Sequence, residues 1–386
     1  MNATKNIRIA AFIFMVMTLG VPTPLMAGET LVGQFLVGRK TKTKTLADGS
    51  VYVGTMLLMW PHGQGRQTLA DGSVYEGAFV RGKRHGKGVM AYFDGRRYEG
   101  DWSENEEHGS GTLYFPDSSR YEGTFHEGFM QGFGSMYYPN GDTYVGLWHE
   151  NIRQGKGVYT WWNNGANYNG DWVADKKEGQ GKMFWSDGSN YNGEWVADVR
   201  KGEGTYCYAN GDVYVGEWSN DLQNGKGEYR FAGGDLYVGD YKDGLRHGQG
   251  EYTRISGSRY VGEYSEGDIN GKGCLELPSG EVYDGQWVRN VRHGKGVCHW
   301  PNGDKYDGDW ANNLPHGFGT MTLADGTIYA GEYKNGIKDG AMVMTRSDGS
   351  RIEGTYAQGK QHGAFKEYDA QGKLVRSIQY VNGLMR

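Results

Sequence analysis

The sequence predicts an all-β chain: an elongated, single twisted antiparallel sheet of tandem hairpin repeats, about 23 residues each. Three observations predict it. A Tyr-x-Gly-x-aromatic phrase, with Met56 in place of the aromatic in the first, begins at Tyr52, Tyr75, Tyr98, Tyr121, Tyr144, Tyr168, Tyr191, Tyr214, Tyr237, Tyr260, Tyr283, Tyr306 and Tyr329. Every interval is 23 residues except Tyr144 to Tyr168, which is 24. Seven residues after each of these tyrosines from Tyr75 on stands only Gly, Asn or Asp, the residues that tolerate positive φ. Asp-Gly or Asn-Gly then recurs before the next tyrosine, as at Asp71-Gly72, Asn140-Gly141 and Asp325-Gly326, a strong short-range hairpin signal.

Each element of the unit follows from its residues. In Tyr75–Arg97, the alternation of Tyr75, Gly77 and Phe79 puts the three on one face of a first strand. Gly82 supplies a tight turn, and His85-Gly86 follows as a further turn element. Val89–Phe93 is the returning strand, and Asp94-Gly95 closes into the next unit. Short connections force antiparallel neighbours, so the array becomes one meandering sheet. Fifteen hairpins would span roughly 140 Å, and strands of about five or six residues would make it roughly 20 Å wide.

The two faces differ in chemistry. Residues 15 and 17 after the tyrosine are mostly large and apolar, as in Met90 and Tyr92, Leu113 and Phe115, Met183 and Trp185. They are expected to share the buried face with Tyr, Gly and Trp, a neighbouring ring lying over each strand glycine. The opposite face of strand one is acidic, through Glu99, Asp101, Asp171, Glu194, Glu217, Asp240, Asp307 and Asp309. This ladder reads as a solvated face; divalent-cation binding would need a dense oxygen cage that the pattern does not supply.

Composition agrees with strands and turns. The 386 residues include 66 Gly, 28 Tyr and 12 Trp but only 8 Pro. Glycine without a three-residue period excludes collagen, and the aromatic content argues against disorder. The N-terminus reads as an export signal: Lys5 and Arg8, an apolar run from Ile9 to Leu19, then a small-residue cleavage site ending at Ala27. The run is short for a membrane span. The formal charge is −5, and removal of residues 1–27, which carry two cations and no anions, leaves −7. That disfavours nucleic acid and gives no global pull toward anionic lipid.

The unit Tyr75-Glu-Gly-Ala-Phe79 with His85-Gly-Lys-Gly88 and Asp94-Gly95 resembles the MORN repeat (membrane occupation and recognition nexus). So does Tyr306-Asp-Gly-Asp-Trp310 with His316-Gly-Phe-Gly319. The resemblance covers residues 52–351 closely. Residues 1–27 then divide off as signal peptide, 28–51 as an N-terminal capping repeat and 352–386 as a divergent C-terminal capping repeat. It implies a scaffold that dimerises, holds partners or sits near membranes; phospholipid binding is attributed to some members.

Chemistry-bearing residues are mostly absorbed by the repeat. His62, His85, His108, His247, His293, His316 and His362 share one position, but neighbouring units lie about 10 Å apart, too far for a shared zinc. No catalytic residue, metal site or cofactor is assigned. Cys274 and Cys298 fall on opposite faces, and Cys207 and Cys274 lie three units apart, so no intrachain disulfide is expected.

Two features depart from the pattern. Position 16 is usually small or polar but is Tyr114, Tyr137 and Phe184 in three units. The 24-residue unit between them carries Trp161-Trp162, and Trp162 is expected to complete an outward aromatic row that binds a partner. Arg39, Lys40, Lys42 and Lys44 form a small basic patch that could meet lipid headgroups. The reading is an exported, periplasmic or extracellular scaffold, no enzyme, that binds a protein partner or self-associates through edges near Leu31–Phe35 and Leu374–Tyr380. A membrane-surface phospholipid module and an envelope carbohydrate binder are the alternatives.

Overall fold

The computed structural model describes residues 41–386. The expected signal, most of the N-terminal cap with its Leu31–Phe35 edge, and Arg39 and Lys40 lie outside the described residues. Within them the chain forms 31 strands, numbered in order from β1 (Lys42–Thr45) to β31 (Leu384–Met385), in one sheet. Each strand pairs antiparallel with its chain neighbours, as in β4 (Val74–Val80) against β5 (Lys83–Ala91) and β5 against β6 (Arg97–Ser103). No helix among the described residues is long and apolar enough to cross a membrane.

The returning strands are longer than the sequence implied. First strands run seven residues and returning strands nine, because His85-Gly86 lies inside β5 and not in a turn. Pairing steps from Gly77–Gly88 to Phe79–Arg84, so one residue faces three. The excess is a β-bulge, and Gly86, at φ 69°, takes its left-handed backbone. This corrects the expected role of the histidine row: those side chains ride on a bulged strand.

The tight turn is where it was expected, with a difference. Gly82 has φ 89°, and the residue before it, Arg81, also has positive φ at 50°. Both central positions are left-handed in unit after unit, including Glu104-Asn105 and Ala174-Asp175. A two-residue turn of this hand matches the right-handed twist of the strands, and that match outweighs the cost of placing Arg, Glu or Ala there. The closing turn is different: the Gly95 N–H donates to the Tyr92 carbonyl and the Tyr92 N–H to Arg96. Glycine is left-handed only at its last position. In the long unit the extra residue enters here, where the Gly165 N–H donates to Trp161, four residues back.

The sheet buries one face without a second layer. Each register tyrosine folds its ring back over its own strand. The Tyr98 ring covers Gly100 and the facing Gly111, and its hydroxyl donates to the Asp101 carbonyl at 2.9 Å. The covering ring is therefore the unit's own tyrosine and not a neighbour's. The aromatic residue four positions on bridges the units: Trp102 meets Tyr75 edge-on at 5.0 Å and Tyr98 at 5.3 Å. Its indole N–H donates to the Gly88 carbonyl at 3.2 Å, so the lone polar atom is satisfied. Such contacts, each adding about 0.5–1.5 kcal/mol beyond area burial, link Tyr52 through Tyr333.

At the C-terminal end, β30 (Leu374–Val381) is not a fully bare edge. β31 covers it at Tyr380 and Val381, and the Arg386 N–H donates to the Gln379 carbonyl at 2.9 Å, leaving Leu374–Ile378 uncovered on that side.

Candidate interaction surfaces

Tyr114, Tyr137 and Phe184 stand on the outward face at strand ends, as expected. They are not bare. Arg97 covers Tyr114 at 5.6 Å, Arg120 covers Tyr137 at 4.1 Å, and Lys182 covers Phe184 at 4.6 Å. Arg120 also pairs with Glu122 at 2.7 Å. Cation and ring shield each other, which sheet propensity and charge pairing explain without a partner.

Trp162 does not join the row. The strand ends at Thr160, which fills position 16 in that unit, and both tryptophans lie beyond it. Trp161 turns to the buried face against Tyr159 at 4.7 Å. Trp162 sits in the closing turn, 75% exposed, against Gly141 of the preceding turn. The Asp142 carboxylate accepts its backbone N–H at 2.9 Å. Alternation along a strand predicted opposite faces; the residues are in a turn, where alternation does not apply.

Of the basic patch, Lys42 and Lys44 are described; Lys42 is exposed, Lys44 is half-buried, and the Lys44 ammonium donates to the Met59 carbonyl at 2.8 Å. Beside it, the tip between β2 (Val51–Leu57) and β3 (Trp60–Thr68) carries Leu57, Leu58, Met59 and Trp60, all exposed. Leu58 is 88% exposed and Trp60 60%. No turn signal marks this tip, because Met59 stands where other units carry Asn, Asp or Gly. That absence was the legible clue.

The acidic ladder has a structural task. Asp101 accepts the Ser110 N–H at 3.0 Å and pairs with Lys87 at 2.7 Å; Asp309 does the same with Phe318 at 3.1 Å and Lys295 at 2.7 Å. Asp171 and Asp240 do likewise, so these four aspartates each cap a bulge amide and take a lysine from the strand before. Among the described residues no three His, Cys, Asp or Glu converge as a metal site.

The pair in this column varies from unit to unit. At the positions that hold Lys and Asp in four units, Phe133 faces Leu147 across β9 (Phe129–Tyr137) and β10 (Thr143–His149). Phe133 is 60% exposed, and Leu147 and Val145 are exposed beside it. Composition by column, comparing position 12 with position 3 of the next unit, would have found this pair in the sequence.

The buried face also holds cations that the sequence reading passed over. Nine residues after the tyrosine, Arg84, Arg153, Arg200, Arg246 and Arg292 slide between aromatic rings of adjacent units. Arg153 lies 4.4 Å over Trp172 and pairs with Asp175 at 2.8 Å; Arg200 lies 4.4 Å over Trp218 and pairs with Asp221 at 2.9 Å. Cys274 and Cys298 stand on opposite faces, Cys298 buried in the aromatic layer and joined to no other cysteine. Burial pushes the Cys298 thiol up to about 11, so it is a packed apolar group more than a nucleophile.

A family model for the MORN repeat matches thirteen stretches of the chain: 60–74, 75–95, 98–120, 121–143, 144–165, 168–190, 191–213, 214–236, 237–259, 260–282, 283–305, 306–328 and 329–351. No curated protein matches it. Among solved structures, the TCP domain of Drosophila melanogaster SAS-4, in complex with a proline-rich motif of Ana2, is 13% identical over 46% of this chain and 90% of that one, with a TM-score of 0.28. The TCP10 domain of Danio rerio CPAP is 12% identical over 70% and 99%, at 0.17. Virginiamycin B lyase from Staphylococcus aureus is 13% identical over 79% and 90%, at 0.12. Likeness at scores this low carries no argument about this chain.

Proposed function

The chain belongs to the MORN-repeat family, and on that premise we propose that it is a non-enzymatic repeat scaffold, exported to the cell envelope or beyond, that holds a protein partner or a second copy of itself. The observation that carries this reading is the Phe133–Leu147 pair. Facing pairs in this column of the outward face are Lys–Asp in four places and elsewhere polar or with a single apolar member; Phe133–Leu147 joins two large apolar groups, both exposed. Exposed aromatic and aliphatic groups ringed by charge are the usual centre of a protein contact. Val145 extends the patch on the same face, and Trp162 is an exposed indole in a closing turn.

The test is a double substitution, Phe133→Lys with Leu147→Asp, which writes the common pair back into the column. Folding should be unchanged by circular dichroism. Light scattering or affinity capture from envelope extract should then lose the dimer or partner seen with the wild-type chain. Unchanged association would overturn the reading.

A second reading, a module resting on a phospholipid surface, is favoured by the Leu57–Trp60 tip beside Lys42 and Lys44. Apolar tips next to lysines suit the headgroup boundary, where the apolar part inserts and the cations meet anionic lipid. Flotation with vesicles containing phosphatidylglycerol separates the two: lipid binding should fall with salt and with Leu58→Asp, which leaves Phe133 untouched. Capture of polysaccharide lost with Trp162→Ala alone would favour a carbohydrate ligand instead.

A further inference from the structure

On the buried face, between Arg246 and Leu277, three register positions depart from their neighbours together, and a fourth leaves Arg246 without the acid that Arg153 and Arg200 use. Position 9 holds Ile269 where the units on either side hold Arg246 and Arg292. Position 7 holds Gly267 where the unit after Arg200 offers Asp221. Two residues before the tyrosine stands Ser258, where Asp235, Glu281 and Asp304 occupy the column on both sides. Position 17 holds Arg254 where the surrounding units place Tyr208, Phe231, Leu277 and Trp300.

These changes have one combined effect. The short Ile269 leaves the space that an arginine fills in the adjacent units, and a half-enclosed cavity of about 400 Å³ results. Its apolar walls are Tyr260, Tyr264, Trp287, Leu275, Leu277 and Ile269. Trp287 is held by its indole N–H, which donates to the Gly273 carbonyl at 3.0 Å, and Tyr264 by an edge contact to Tyr237 at 5.3 Å. The walls are therefore preformed.

Two guanidinium groups, Arg246 and Arg254, also line it. Arg153, Arg200 and Arg292 each hold a carboxylate, Arg292 through Glu281 at 2.6 Å. Arg246 donates to a backbone oxygen, that of Gly267, at 2.9 Å. Among the described residues no carboxylate stands within ion-pair distance of Arg246 or Arg254. The acid nearest in the row, Asp235, is already engaged by the Tyr252 hydroxyl at 2.7 Å and the Ile255 N–H at 2.9 Å. No acidic residue lines the cavity.

We propose that this cavity is a binding site for an organic carboxylate with an apolar body, the carboxylate taken by Arg246 and Arg254 and the body by the Tyr260–Trp287 walls. The volume is in the range of small-ligand sites, and apolar walls with a few convergent polar groups are their usual make-up. The guanidinium fork matches a carboxylate in shape and charge. The site is on the opposite face from Phe133 and Leu147 and goes beyond the scaffold reading.

The same chemistry is offered by a free acid or by the last residue of a peptide. The experiment is calorimetric titration of the full chain with 3-phenylpropionate, with its neutral amide, and with acetyl-Gly-Phe bearing a free carboxylate. Saturable binding by either acid, at least about tenfold tighter than by the amide, supports the site, and the tighter of the two names the source. Arg254→Gln, at an exposed position, should lower affinity about tenfold and leave the fold intact. Ile269→Arg writes in the residue used in the neighbouring units. It adds positive charge, so simple electrostatics would tighten binding; filling the cavity should abolish it without loss of thermal stability. Binding by neither acid, equal titration of Arg254→Gln, or wild-type binding by Ile269→Arg would each overturn the proposal.

Discussion

The ring of Tyr98 lies across Gly111, the residue facing its own Gly100 on the returning strand. A Cβ on Gly111 would stand inside the contact distance of the ring. The glycine is needed for that approach and not for an unusual backbone, since its φ is not positive. Gly111→Ala should therefore cost about 1–3 kcal/mol through overpacking. Tyr98→Leu, damaging alone, should cost less on the Gly111→Ala background, because the clash is then gone. Urea unfolding of the two single variants and the double measures that coupling.

Trp195 joins two units in the same way. It meets Tyr168 at 5.5 Å and Tyr191 at 5.3 Å, and donates to the Gly181 carbonyl at 3.2 Å. Trp195→Ala should remove about 3–5 kcal/mol at that junction. Each unit touches only its neighbours, so the damage should be local. The expected sign is a second step in the denaturant curve, with one part of the array melting before the other. A single transition shifted as a whole would show tighter coupling than nearest-neighbour contacts provide.

These contacts show how far the sequence could be read. The period of Tyr52 to Tyr329 and the turn residues at Gly82 or Asn105 are local signals, and they located nearly every strand. The ring of Tyr98 folding over Gly111 was not legible, because the pattern shows that both share a face and not which ring covers which glycine. The bulge at Gly86 was hidden because glycine suits a turn and a bulge alike. Trp162 was misplaced for a related reason: whether the extra residue enters the strand or the turn decides its direction, and both choices preserve the register. Ile269 and Phe133 were readable only by comparing columns across units, since each is ordinary within its own strand.

The buried tyrosines predict an alkaline limit. Burial pushes the phenols of Tyr52, Tyr121, Tyr191 and Tyr283 up to about 12. An unfolded chain releases these protons near pH 10. Between those values the unfolded state binds fewer protons than the folded one, so stability falls as pH rises. The contribution is complete below pH 10 and is lost as pH passes 12. Because the ladder repeats the group along the whole sheet, the loss should be steep. Stability should fall between pH 10 and 12, with phenolate absorbance appearing together with loss of the sheet spectrum. Phenolate appearing while the sheet signal persists would contradict it.

The capping carboxylates supply a prediction that separates hydrogen bonding from charge. Asp309 accepts the Phe318 bulge amide at 3.1 Å and pairs with Lys295 at 2.7 Å, with the lysine largely in water. Exposed ion pairs contribute about 0–1 kcal/mol and are screened by salt. The amide bond is less easily replaced, because the bulge N–H has lost its strand partner. Asp309→Asn keeps an acceptor and removes the charge, so it should cost only a few tenths of a kcal/mol at low salt and nothing measurable at high salt. Asp309→Ala removes both and should cost about 1 kcal/mol at any salt concentration. Thermal unfolding of the two variants at low and high ionic strength tests this. If Asn and Ala prove equally damaging and both effects vanish in salt, the ladder acts through charge alone. The bulge amide would then be satisfied by water, and position 3 could carry any soluble residue. The recurrence of an acceptor there, including Gln286, which accepts the Lys295 N–H at 2.8 Å without any charge, argues for the hydrogen bond.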